Sequence, residues 1–116
     1  MNIQSEIEFF SDLGLLDKAR FITRLIAEIT EEAKVGAGGG QDLTRLRFSN
    51  ELIQRLARFN YQLLSEDTSR PADDVMIRML LGTRADKGAE RIVHTAYRRV
   101  LTSYESFDTT VLLNPR

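Results

Sequence analysis

Residues 48–64 read FSNELIQRLARFNYQLL, and this stretch decides the fold class. Placed on a helix at about 100° per residue, Leu52, Ile53, Leu56, Ala57, Phe59, Leu63 and Leu64 share an arc of about 160°. Glu51, Gln54, Arg55, Arg58 and Gln62 fill the opposite side, with Glu51 and Arg55 at the favourable i,i+4 spacing. Ser49 reads as the N-cap, which puts Phe48 and Ile53 at the positions of a hydrophobic staple.

Asn60 breaks the apolar arc at its middle, between Ile53/Leu64 and Leu56/Leu63. An unpaired amide costs about 1–3 kcal/mol to bury, so Asn60 is expected to be a buried polar residue with a partner. An interhelical hydrogen bond within the chain is the first arrangement that supplies one. A polar residue fixing the register of a dimer interface is the second. A residue lining a ligand pocket is the third.

Towards the N-terminus, LLDKARFITRLIAEITEEAK (15–34) repeats the pattern. Leu15, Ala19, Phe21, Ile22, Leu25, Ile26, Ile29 and Ala33 form its apolar side. Glu28, Glu31 and Glu32 oppose the dipole near its C-terminal end, in keeping with an early stop. Residues 2–11 place Ile3, Ile7 and Phe10 on one side, a short helix or ordered arm that Gly14 separates from the next. GAGGG at 36–40 is a flexible connector: it lacks the Gly-Lys-Ser/Thr and GxGxxG patterns of phosphate-cradling loops. QDLTRLRF (41–48) offers at most a partial helical turn before the central helix.

Towards the C-terminus, SEDTSRP is a turn, and Pro71, Asp73 and Asp74 suit the start of a helix over 71–81. Val75, Met76, Ile77, Met79, Leu80 and Leu81 surround about 240° of that helix, so it is either sandwiched in the core or half-covered by a partner chain. Gly82 suits the C′ position, and Thr83 with Asp86 resembles a capping box for a long helix over 84–104. Ala85, Ala89, Ile92, Val93, Ala96, Tyr97, Val100 and Tyr104 give that helix its apolar side. The segment 106–116 reads as an extended tail. The expected fold is all-α: a single domain over 1–116, a compact bundle of four to five helices with an extended C-terminal tail.

Composition bounds the function. The chain has 116 residues, 42% hydrophobic and 28% charged, typical of a globular domain that needs no disulfide or metal to fold. No run approaches the ~20 apolar residues of a membrane span, so no membrane role is expected. The absence of cysteine suits a reducing, cytoplasmic setting. Net charge is −1, too small for bulk attraction to nucleic acid. Its distribution is uneven: residues 1–40 hold 4 basic and 7 acidic groups, residues 41–99 hold 11 and 8.

Catalytic patterns are sparse. His94 is the single histidine, which rules out His-rich metal sites, paired Glu-x-x-His motifs and HExxH. No serine is brought to it by sequence for a triad. Arg84 stands where the reactive histidine of a phosphotransfer domain would precede Lys87-Gly88. No enzyme activity, cofactor or metal is expected.

Two binding surfaces remain. Arg84, Lys87, Arg91, His94 and Arg98 form a basic stripe about 80° wide and roughly 21 Å long. It suits an acidic protein partner, or less readily nucleic-acid phosphates. The apolar surplus of 71–81 and of the tail points to a homodimer through Met76, Ile77, Leu80, Leu112 and Leu113. The sequence therefore suggests a small non-enzymatic adaptor or regulator. The alternative is a helix-turn-helix DNA binder using the basic stripe of the last helix.

Overall fold

Helices form wherever the apolar residues recur at three- and four-residue spacing. The computed structural model describes the backbone of residues 2–37, 43–82 and 87–113, and side chains over 2–34, 46–82 and 88–104. Five helices result: α1 (Ile3–Asp12), α2 (Leu15–Ala37), α3 (Leu43–Leu64), α4 (Asp73–Leu81) and α5 (Lys87–Leu113), with no strand among the described residues. Asn2 starts α1 by accepting a hydrogen bond from the Ser5 N–H at 3.2 Å. Gly14 separates α1 from α2, as its position in the sequence suggests.

The packing centres on α2, which lies against α3 on one side and α5 on another, while α1 lies on α4. The α2–α3 pair is antiparallel: the Asn60 amide, late in α3, reaches Ala19 and Thr23, early in α2. Helix α5 also runs antiparallel to α2. The Tyr104 hydroxyl donates to the Asp17 carbonyl at the start of α2, and Arg99 pairs with Glu32 near its far end. Phe21 sits among four rings, with centroids 5.4 Å to Tyr97, 5.6 Å to Tyr104, 5.8 Å to Phe10 and 5.9 Å to Phe9. These separations and tilts suit edge-to-face packing. Leu25, Leu56, Ile77, Leu80 and Val93 continue this core.

One polar node ties α2 to α4. Lys18 Nζ meets Asp73 Oδ2 at 2.7 Å, and Arg70 meets Asp73 Oδ1 at 3.1 Å. Lys18 also lies over the Phe10 ring and Arg70 over Phe59. Asp73 opens α4, so its charge is favoured by the helix dipole as well.

Four expectations are corrected. First, α3 begins at Leu43, so Ser49 is no cap; it lies inside the helix, buried, its hydroxyl without a partner among the described residues. The residues over 43–48 contain no breaker, and the helix runs through the serine. Second, Met76, Ile77 and Leu80 are buried in the chain's own core, covered as α4 packs between α1 and α5. Ile77 and Leu80 offer no surface to a second copy, and Met76 shows only its edge, in a hollow beside α3. Third, the helical backbone of α5 continues through Leu113, where an extended tail from 106 was expected; its first helix-breaking residue is Pro115. Fourth, Gly82 ends α4 at φ −91°, so no left-handed cap is formed there. A Cβ at Gly82 would instead lie 2.6 Å from the Arg78 carbonyl oxygen. The Thr83–Asp86 box and most of the connector (38–40) fall outside the described residues.

A candidate docking groove between α3 and α4

Burial of α4 is one-sided. Met76, Ile77, Leu80 and Leu81 turn inward, leaving Val75 53% exposed and Met79 half-buried on the flank towards α3. Facing them, Phe48, Glu51, Leu52, Arg55, Arg58, Phe59 and Gln62 recur at three- and four-residue steps along α3. Such spacing draws one stripe over 14 residue steps, about 21 Å at 1.5 Å per residue.

Between the two helices lies a hollow of about 370 Å³, lined by Arg55, Arg58, Phe59, Gln62, Ser69, Pro71, Val75, Met76 and Met79. A second hollow of about 120 Å³ continues it through Phe48, Glu51, Leu52, Arg55 and Met79. Arg55 and Met79 line both, so the two form one groove. Its floor is apolar, and its rim carries two arginines, Arg55 and Arg58, and one carboxylate, Glu51. Among the described residues neither Arg55 nor Arg58 has an ion-pair partner. Arg58 acts on Asp67 only as a longer-range charge; that carboxyl is held below its ordinary value first by the Ser69 hydroxyl, then by the Ser69 N–H.

Of the basic stripe expected on the last helix, the side chains of Arg91, His94 and Arg98 are described. Arg91 and Arg98 are exposed. His94 is half-buried, and its Nε2–H donates to the Leu81 carbonyl at 3.2 Å, satisfying one of the terminal carbonyls of α4. It is a fastener between α4 and α5 and drops out of the stripe. Arg84 and the Lys87 side chain fall outside the described residues, as do the side chains of Leu112 and Leu113.

Asn60 Nδ2 donates to the Ala19 carbonyl at 3.3 Å and to Thr23 Oγ1 at 3.2 Å, an interhelical link within the chain. Its Oδ1 is buried without a partner among the described residues.

A second exposed apolar surface lies where α2 begins and α3 ends, at Leu15, Leu16, Tyr61 and Leu64. A hollow of about 460 Å³ there is lined by Leu15, Leu63, Glu66, Asp67, Thr68, Arg70 and Ala72. Among the described residues, no three His, Cys, Asp or Glu side chains lie together in a group able to hold a metal ion, and no helix is long and apolar enough to cross a membrane.

The groove escaped sequence reading because its two walls lie on different helices. One signal was available: Phe48, Arg55 and Gln62 repeat at seven-residue spacing on the side of the helix opposite to Asn60. No family model, curated protein or solved structure matches the chain.

Proposed function

We propose that this protein is a small non-enzymatic interaction module, an adaptor or regulator, that binds an apolar and acidic helical segment in the groove between α3 and α4. The observation that supports it is an apolar floor, including Val75, Met79 and Phe59, beside the cations Arg55 and Arg58 at the rim, which have no ion-pair partner among the described residues. A helix laid in such a groove contacts it through residues at i, i+3, i+4 and i+7, with acidic groups placed against the arginines. Composition without cysteine is consistent with action in the cytoplasm.

The test is titration of the isotope-labelled chain with a designed amphipathic peptide of leucine and glutamate, followed by backbone amide shifts. Perturbation concentrated on 48–62 and 75–79, lost with Arg55→Glu/Arg58→Glu or with a lysine-for-glutamate peptide, is the expected result. Absence of binding, or shifts confined to other surfaces, refutes the reading. Duplex DNA serves as the control for the helix-turn-helix alternative, whose described cations reduce to Arg91 and Arg98. Steeply salt-dependent DNA binding with shifts on α5 would favour that alternative instead.

A further inference from the structure

Helix α5 outruns its neighbour. Tyr104 is already level with Asp17, in the first turn of α2, yet the helix continues for residues 105–113. At 1.5 Å per residue those nine residues add about 14 Å beyond that point. The longest dimension of the molecule is 50 Å and its radius of gyration 14.8 Å, against about 13.4 Å for a compact chain of this length.

The sequence of this overhang is ESFDTTVLL: two acidic residues, Glu105 and Asp108, no basic residue, and four apolar ones. It has the composition that the α3–α4 groove would accept, and at about 14 Å it fits within the groove's length of about 21 Å. A continuous helix cannot turn back onto its own α3. We infer that the overhang of α5 occupies the α3–α4 groove of a second copy of this chain. Each chain carries one groove and one overhang, so a two-fold pair fills both grooves and closes without leaving a free site.

Charge selects this occupant's seat over the other exposed apolar surface. The hollow beside Leu15 carries Glu66 and Asp67, and its one arginine, Arg70, is engaged by Asp73. An acidic overhang is repelled there, whereas in the α3–α4 groove Arg55 and Arg58 outnumber the single carboxylate Glu51 and attract it. The inference rests on the groove being a docking site and names what fills it.

Sedimentation velocity of the full chain at tens of micromolar tests it. The wild type is expected to sediment as a dimer. Arg55→Glu/Arg58→Glu and Glu105→Lys/Asp108→Lys should each weaken the dimer about tenfold or more, and the two sets combined in one chain should restore it. Arg55 and Arg58 are exposed, and circular dichroism verifies that each variant remains helical. Leu16→Ser/Leu64→Ser should leave the dimer intact. A monomeric wild type, failure of the combined charge reversal to restore association, or loss of the dimer in Leu16→Ser/Leu64→Ser overturns the inference. If the leucine–glutamate peptide still binds the groove of such a chain, only the occupant is wrong; if it does not, the docking reading fails with it.

Discussion

Tyr97 is fully buried, and its hydroxyl donates to Glu6 Oε1 at 3.0 Å, joining the centre of α5 to α1 across 91 residues of sequence. The phenol is held far above its ordinary value of 10.0, first by burial and then by the Glu6 charge. Tyr97→Phe leaves the carboxylate without its donor and should cost about 1–2 kcal/mol at pH 7. Because the folded-state pKa is raised, this stability is complete below pH 10 and is lost as the pH rises above it. Wild-type stability should therefore fall relative to Tyr97→Phe by up to about 1.4 kcal/mol per pH unit above 10. Urea unfolding of both chains at pH 7, 9 and 11 measures this; a constant difference between them would contradict it.

Ser49 offers a test by sign. A buried hydroxyl without a partner inside a helix is a cost, so Ser49→Ala should raise stability by about 1 kcal/mol. An N-cap at this position would instead make the same substitution destabilising by about 1 kcal/mol. Thermal melts distinguish the two outcomes directly.

Glu66 is the one described non-glycine residue with positive φ, at 55°. It closes α3 through two backbone bonds, Glu66 N–H to the Leu63 carbonyl and Asp67 N–H to the Gln62 carbonyl, the pattern of a Schellman motif. A side chain in this left-handed conformation is strained where glycine is not. Glu66→Gly should stabilise the fold by about 1 kcal/mol, whereas Glu66→Ala should not. Comparison of the urea midpoints of the two variants decides it.

Asn60→Asp replaces a donor with an acceptor opposite the Ala19 carbonyl and Thr23 Oγ1. It should cost about 2 kcal/mol or more, beyond the loss in Asn60→Ala, because it buries a charge against like dipoles. A melting order of wild type, then Ala, then Asp is expected; equal melting of the Ala and Asp variants would exclude that repulsion.

The sequence by itself determined that the chain is helical, and where most helices lie. Apolar residues at three- and four-residue spacing over 15–34, 48–64 and 84–104 can be buried together only on helices, and Gly14 interrupts that spacing on schedule. Boundaries were harder to read. Ser49 has the chemistry of a cap, but capping is worth about 1 kcal/mol, less than the packing gained by a helix that continues through it.

Tertiary structure decided what the apolar surfaces were for. The sequence shows Met76, Ile77 and Leu80 as part of a surplus around α4, and composition alone cannot tell a core from an interface, because both bury the same side chains. Only the placement of α1 against α4, far apart in sequence, showed that the chain covers them itself. His94 likewise belongs to a basic stripe by spacing alone, until the Leu81 carbonyl comes within 3.2 Å. The groove arises from the separation of α3 and α4, which lines up Arg55, Arg58, Val75 and Met79 across a gap. Such a gap depends on how two helices pack against their other neighbours, and the periodicity of either helix carries no record of it.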